Sequence, residues 1–343
     1  MILTKSPPSM ILDGTRKEAI VLETGRDRLS RVALSRPLEP LAMLEEPELA
    51  EDGPLVLGDH LVEDELLVCG RAANQIELRR WDDFSRAARI KLGRATCEHW
   101  VSIAVAPTGT HLAVADSMRR VRLLALDTRL TGMIELERGD VLSMRFSPDG
   151  QRLAIATTSP RGAQVSVWDV RGAKARVYLA ALDRRVVPHS VRSTPSSFAD
   201  LCFSHDGEIL YLYTSTSSLM EPPEESVGWR GSLEAHDLVD GKLWWCSNLD
   251  AEVTGDPRSN QELGLEHGFA TRMLLDDKRR ELILGTSGGG VARMDARDGA
   301  LRRFSAPGGA QGVVQIATPS PREFWLLTSK AQLLDGASTF LDA

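Results

Sequence analysis

The sequence predicts an all-β chain, a single closed β-propeller of four-stranded antiparallel blades, with seven blades as the first reading and six as the alternative. Three observations carry this. Short apolar runs recur along the chain, turn residues separate them, and the strand–turn–strand unit repeats at an interval near that of one blade.

The clearest unit begins at Val141-Leu142-Ser143-Met144-Arg145-Phe146. Ser147-Pro148-Asp149-Gly150 interrupts it, Leu153-Ala154-Ile155-Ala156 follows, and Gln164-Val165-Ser166-Val167-Trp168 comes after one more turn. Asp-Gly suits a tight turn because glycine adopts positive φ without steric cost. A second unit runs from Ser102-Ile103-Ala104-Val105 through Pro107-Thr108-Gly109 to Leu112-Ala113-Val114-Ala115. A third places Ser204-His205-Asp206-Gly207 between Leu201-Cys202-Phe203 and Ile209-Leu210-Tyr211-Leu212-Tyr213. A fourth runs from Arg272-Met273-Leu274-Leu275 through Asp276-Asp277-Lys278 to Leu282-Ile283-Leu284-Gly285.

Weaker copies flank these at Leu66–Cys69, at Phe324–Leu327 and at Met10–Leu22. The turn markers fall near 14, 64, 109, 150, 207, 278 and 321, and most steps are close to the about 40–50 residues of one blade. The expected units are 1–53, 54–97, 98–137, 138–193, 194–256, 257–308 and 309–343, all within one domain spanning 1–343.

One small blade cannot bury both faces, whereas blades stacked around an axis cover each other and leave only short edges. Aromatic residues are only 5%, so Leu, Val, Ile and Ala must fill the space between blades. A two-domain α/β fold would need amphipathic helices between strands. The best helical candidate, Leu38 to Leu49, is interrupted by prolines. Ser85 to Leu92 reads as an outer strand, and helix content should be low.

The 343 residues are 42% apolar and 26% charged, which excludes a wholly disordered chain. A net charge of −7 supplies no field for DNA or RNA, so nucleic acid is not an expected partner. Cys69, Cys97, Cys202 and Cys246 form no CxxC pair, and the two in apolar runs, Cys69 and Cys202, read as small buried hydrophobes of a reducing compartment. The start has no long apolar leader, and no stretch is long and apolar enough for a spanning helix. The expected location is cytoplasmic.

FSPDG at 146–150, then LAIA, then VSVWDV at 165–170 resemble the WD40 repeat of β-propellers. Trp168-Asp169 matches that family's terminal dipeptide, and Leu126-Asp127 and Met294-Asp295 resemble degenerate forms of it. His99 and His267 each precede those pairs by 27 residues, although His267 stands in the order His-Gly instead of the family's Gly-His. The resemblance implies structural roles for His99, Asp127, Asp149, Gly150, Trp168, Asp169, Asp206, Gly207, His267 and Asp295. Trp81-Asp82 is set apart, because another acid follows it and no clear strand ends there. The family typically forms rigid docking platforms for peptides or partner domains.

Motifs for chemistry are sparse. No two of the seven histidines lie within four residues, no HExxH occurs, and no metal site is expected. No nucleophile elbow or P-loop appears. Gly285-Thr286-Ser287-Gly288-Gly289-Gly290 lacks the following Lys-Ser/Thr and reads as an inter-strand loop. Adjacent carboxylates such as Asp82-Asp83 and Asp276-Asp277 would face opposite sides of a strand or face water in a turn.

The irregular segments suggest contact surfaces. Between Tyr213 and Leu233 the chain is polar and acidic, with Glu224, Glu225, Trp229 and Arg230 as candidate interaction residues. Arg184, Arg185 and His189 make a locally basic crossing suited to an acidic partner or a phosphate. Asn248 to His267 forms another long connection.

The sequence therefore favours a non-catalytic scaffold or adaptor that binds a protein partner, as a monomeric ring or a subunit of a hetero-complex, with no cofactor. Two alternatives stand beside it. One is a propeller enzyme, lactonase-like or otherwise hydrolase-like, with a site in the central channel. The other is a structural subunit of a larger assembly.

Overall fold

The protein is described by a computed structural model. It describes residues 9–13, 15–23, 28–45, 56–61, 66–71, 75–92, 100–116, 119–126, 131–136, 139–159, 162–171, 176–183, 196–217, 229–248, 270–286, 290–305, 313–320, 323–328 and 333–335. Among these residues every regular element is a strand, and no helix is long and apolar enough to cross a membrane.

Each sheet is a simple antiparallel meander in chain order. The first contains β1 (Ser9–Asp13), β2 (Glu18–Glu23), β3 (Arg28–Ala33) and β4 (Arg36–Glu45). The second contains β5 (Val56–Leu61), β6 (Leu66–Arg71), β7 (Gln75–Arg80) and β8 (Arg86–Lys91). The third contains β9 (Trp100–Val105), β10 (His111–Asp116), β11 (Arg120–Ala125) and β12 (Thr131–Glu135). The fourth contains β13 (Val141–Phe146), β14 (Arg152–Ser159), β15 (Gly162–Asp169) and β16 (Arg176–Asp183). The fifth contains β17 (Ser196–Phe203), β18 (Ile209–Ser217), β19 (Trp229–Asp237) and β20 (Leu243–Asn248). The sixth contains β21 (Ala270–Asp276), β22 (Glu281–Thr286), β23 (Val291–Asp295) and β24 (Leu301–Ser305). The last contains β25 (Val313–Ser320), β26 (Glu323–Thr328) and β27 (Leu333–Asp335). The described residues thus form six four-stranded blades and one three-stranded sheet.

The first strand of every sheet lies beside the first strand of the next, from β1 round to β25 and back to β1. These strands form the inner wall of a closed ring. The apolar core is correspondingly divided into one cluster per blade junction. Met10, Ala19, Val21 and Val32 meet Trp325, Leu327 and Leu333 where the last sheet packs on the first. Among the described residues this closure is made by sheet faces packing together, since β1 and β27 each stay within their own sheet.

The second strands explain the continuous apolar runs in the sequence. Leu153 and Ile155 face the third blade, while Ala154 and Ala156 face the fifth. Leu210 and Leu212 face the fourth blade, and Tyr211 and Tyr213 face the sixth. Both sides of these strands are buried, so the usual apolar–polar alternation is lost. In β14 large Leu and Ile side chains face one neighbour and small Ala side chains the other, whereas β18 presents large side chains to both.

The turn after the first strand is a repeated local device. The Ser147 amide donates to the Arg152 carbonyl at 2.9 Å, and the Gly150 amide to the Ser147 carbonyl at 2.8 Å. The Asp149 carboxylate receives the Gln151 amide at 3.0 Å. Ser204 through Ile209 repeats these contacts. Gly150 has φ of 70°, and a β-carbon there would come within 2.7 Å of the Thr108 hydroxyl oxygen in the neighbouring turn.

Three stretches singled out in the sequence can be placed. The stretch containing Leu38 to Leu44 is strand β4, because its proline-interrupted pattern pairs well at an outer edge. Trp81-Asp82 does follow a strand end, since β7 stops at Arg80. Trp81 is fully buried at 0% exposure, and its indole N–H donates to Glu18 of the first blade at 2.9 Å. The neighbouring Asp82 carboxylate accepts from Arg16 at 2.8 Å and Arg31 at 2.6 Å, stitching the two blades together. By contrast, Trp168 is only partly buried, and its indole donates to Ser166 within its own strand. Strand β8 does occupy the stretch read as an outer strand.

Candidate functional site

A buried polar group on the inner wall lies where three innermost strands meet. Asp200, on β17, is 0% exposed. Its Oδ1 accepts the Ser143 hydroxyl from β13 at 2.9 Å. Its Oδ2 accepts the Met273 amide from β21 at 2.8 Å. One carboxylate thereby ties the fourth, fifth and sixth blades together beside the axis.

The local strand pattern produces this meeting. A bulge between Val141 and Ser143 changes the alternation of β13. Met144 and Phe146 then pack toward the third blade, leaving Ser143 and Arg145 turned toward the fifth. A buried carboxylate is tolerable only when donors replace its lost hydration. Ser143 and the Met273 amide do so here, and a guanidinium stands beside them. Arg145 Nη2 lies 3.7 Å from Asp200 Oδ1, and the Arg145 side chain is 43% exposed. Its Nη1 donates to the Met144 carbonyl at 3.3 Å.

The pair is therefore asymmetric, with the anion enclosed and the cation at the surface. The guanidinium is thus the part of the pair that solvent or a ligand can reach. It can hold an anionic group of a ligand or stabilise negative charge that develops during a reaction. Cys202, two residues along β17, is a partly buried neighbour. Burial first, and then the Asp200 carboxylate, push its thiol well above the usual thiol range.

The candidate interaction residues fall elsewhere. Trp229 and Arg230 belong to the start of β19, where their backbones pair with Ser217 and Thr216. The strands β18 and β19 extend further than the sequence suggests, so the connection between them is shortened to 218–228. Glu224, Glu225, Arg184, Arg185 and His189 lie outside the described residues, as do His99, Asp127 and His267. The strand ends flanking these segments can nonetheless be placed. Ser196, Ser217 and Trp229 stand side by side in the fifth blade, at the end opposite the Asp206-Gly207 turn. Asp183 occupies the corresponding end of the fourth blade, paired with Gln164.

The repeat residues cap turns. Asp149 and Asp206 each accept the amide two residues onward, as do Asp169 and Asp295 at the ends of third strands. The Arg171 guanidinium holds the Asp169 carboxyl below the usual range, and Arg297 does the same for Asp295. Among the described residues no group of three or more His, Cys, Asp and Glu is arranged to hold a metal.

Sequence reasoning passed over Ser143, Arg145 and Asp200. A faint signal existed in the acid within the otherwise apolar run Phe198-Ala199-Asp200-Leu201-Cys202-Phe203. Nothing in one blade's sequence indicates that donors from two others converge on it.

No protein-family model matches the chain, and no curated protein does either. Among solved structures, the chain is similar to a chain of hydrazine synthase from Kuenenia stuttgartiensis, with a TM-score of 0.67 and 14% identity. The similarity covers 96% of this chain and 95% of that one. At that identity the likeness shows the propeller fold alone. It also overturns the inference from missing motifs to an absence of catalysis. A ring of this fold, matched over nearly the whole of both chains, occurs in an enzyme, so the fold does not weigh against one.

Proposed function

We propose that this chain is a propeller enzyme of hydrolase-like chemistry, with its site at the inner wall of the ring. The observation that carries the reading is the enclosed Asp200 carboxylate beside the half-exposed Arg145 guanidinium. Arginine keeps its charge at any working pH. A buried partner beside it limits reorganisation when substrate arrives, which is the condition for electrostatic catalysis. The likeness to a hydrazine synthase chain supports an enzymatic use of this ring, and no part of that enzyme's reaction is carried over. The turns at Asp149-Gly150 and Asp206-Gly207, with Trp168-Asp169 closing a third strand, support a divergent WD40-type kinship.

The test is turnover of a panel of lactones and simple esters by the purified full chain. The reading expects hydrolysis of at least one member, reduced about 100-fold or more in Arg145→Ala. No turnover across the panel, or turnover indifferent to Arg145→Ala, would overturn it.

A second reading, a subunit that docks on a protein partner, is favoured by the outer side of the fifth blade. There Val239, Leu243 and Trp244 are exposed, Trp244 at 58%. Exposed apolar groups of this kind mark contact surfaces when contiguous. Trp244→Ser should release a partner in a native-size measurement of the extracted protein if this reading holds. An unchanged particle size would count against it.

A further inference from the structure

We infer that a second copy of this chain docks on the tip of the β19–β20 hairpin, related to the first by a twofold axis and anchored by Trp244. This rests on the docking reading above and names the partner for that surface. Its first support is a side chain whose size the fold does not use. Trp245 pairs with Ala235 and Leu243 with His236, so Trp244 is the extra residue of a bulge in the outermost strand. A bulge re-aims the side chain it carries. The same bulge recurs in the outer strands of the first, second and sixth blades, where the extra residue is Leu41, Ala87 and Arg302. Aliphatic, small and charged side chains all serve there. An indole at this position therefore meets no requirement of the blade, and Trp244 is 58% exposed.

The hairpin presents this indole on a fixed backbone, with Val239 and Leu243 also exposed. The Asp237 carboxylate accepts the Val239 amide at 2.8 Å and the Asp240 amide at 3.0 Å. The Asp237 amide donates to the Lys242 carbonyl at 2.8 Å, and Trp245 packs on Tyr211. An apolar anchor held in this way loses little freedom on docking.

Charge selects a second copy as the occupant. The chain as a whole carries −7, which sets copies to repel one another. The hairpin tip is instead neutral, with one acid, Asp240, and one base, Lys242, both largely exposed and 3.6 Å apart. Under a twofold axis the acid of each copy meets the base of the other, so the tip is complementary to itself. The strand behind it is equally permissive. Among the described outer strands β20 alone carries no charged residue, whereas β8 carries Arg86, Arg89 and Lys91, and β24 carries Arg302 and Arg303. Charges of that kind keep sheet edges apart. A contact of one hairpin per copy lies at the small end of interface sizes, under about 1,200 Å² in total, so the dimer is a reversible one.

The experiment is sedimentation velocity of the purified full-length protein over a range of about 1–200 μM, which suits a small reversible interface. The inference expects the mass to rise from one chain toward two with concentration. Trp244→Ala, which copies the residue at the same bulge of the second blade, should weaken association about tenfold or more. Asp240→Lys and Lys242→Asp each set like charges across the axis and should weaken it about threefold or more. An equimolar mixture of those two variants should associate again, because every acid then meets a base. Unfolding curves of the variants confirm that the ring is intact. The mass of a single chain throughout, association indifferent to Trp244→Ala, or a mixture no stronger than its separate components would overturn the inference. Failure of the docking reading is distinguishable. A purified monomer together with a larger particle in the extract that Trp244→Ser releases would overturn the second copy and leave a different protein as the partner.

Discussion

The Ser143 hydroxyl donates to the Asp200 carboxylate at 2.9 Å across the junction between the fourth and fifth blades. Both residues are buried, and the same carboxylate accepts the Met273 amide from the sixth. Replacing Asp200 with Ala leaves a hydroxyl and an amide buried without their acceptor. The expected cost is about 3–5 kcal/mol, the range for removing one partner of a buried charged pair. Ser143→Ala removes one donor and should cost about 1–3 kcal/mol. Chemical denaturation of both variants checks the order, and equal losses would show that the three-blade junction is not centred on Asp200.

Trp81 should be far more sensitive than Trp168, although Trp168 is the better match to the repeat signature. Trp81 is fully enclosed and hydrogen-bonded to Glu18 in another blade, whereas Trp168 is partly buried and bonded to Ser166 two residues away. Trp81→Ala is expected to lose about 3–5 kcal/mol. Trp168→Ala should lose less, and a reversed order in urea unfolding would contradict the assignment.

The turn glycines separate backbone strain from crowding. Gly109 and Gly150 both have φ of 70°. A β-carbon on Gly109 meets only Leu61, at 4.0 Å, while one on Gly150 meets the Thr108 hydroxyl at 2.7 Å. Gly109→Ala should therefore cost about 1–2 kcal/mol for the left-handed conformation alone. Gly150→Ala should cost more, and the double variant Gly150→Ala with Thr108→Ala should return the excess. Thermal unfolding of the three variants gives the comparison.

Tyr211 predicts a loss of stability at high pH. Burial, the largest cause, raises its phenol from the usual 10.0 to about 12. Its ring lies 6.2 Å from that of Trp245, whose indole donates to the Ala296 carbonyl of the sixth blade at 3.2 Å. The unfolded chain ionises first as pH rises, so the contribution of Tyr211 is intact below pH 10 and declines between about 10 and 12. Tyr211→Phe should flatten that part of the stability profile. A profile with the same alkaline slope would place the titrating group elsewhere.

Asp206 predicts the opposite dependence. The Ser204 hydroxyl, and then the Glu208 amide, hold its carboxyl below the usual 3.8. Its contribution is therefore present above pH 3.8 and disappears as pH falls through the lower folded value. Asp206→Asn should be less stable than the parent near neutrality and converge with it in strong acid. Denaturation midpoints measured across the acid range test this.

The repeating strands and turns were legible because their causes lie within a few residues. Ser147-Pro148-Asp149-Gly150 supplies its own turn acceptor and a residue at positive φ, and the flanking apolar runs fit strands buried on both sides. A local reading of strand alternation puts neighbouring Trp244 and Trp245 on opposite faces of β20, and the first is exposed while the second packs on Tyr211. It undervalued Trp81, whose acceptor on Glu18 is 63 residues away. It passed over Asp200, whose donors lie 57 and 73 residues away.

The blade unit is written in the chain itself, because strand pairing within a meander joins neighbours in sequence. Which blade each face meets, how Met10 packs with Trp325 at the closure and which polar residue becomes enclosed are settled by the assembled ring. Blades share one local pattern. Burial and charge depend instead on what the adjacent blade presents, and ring closure alone sets that neighbour.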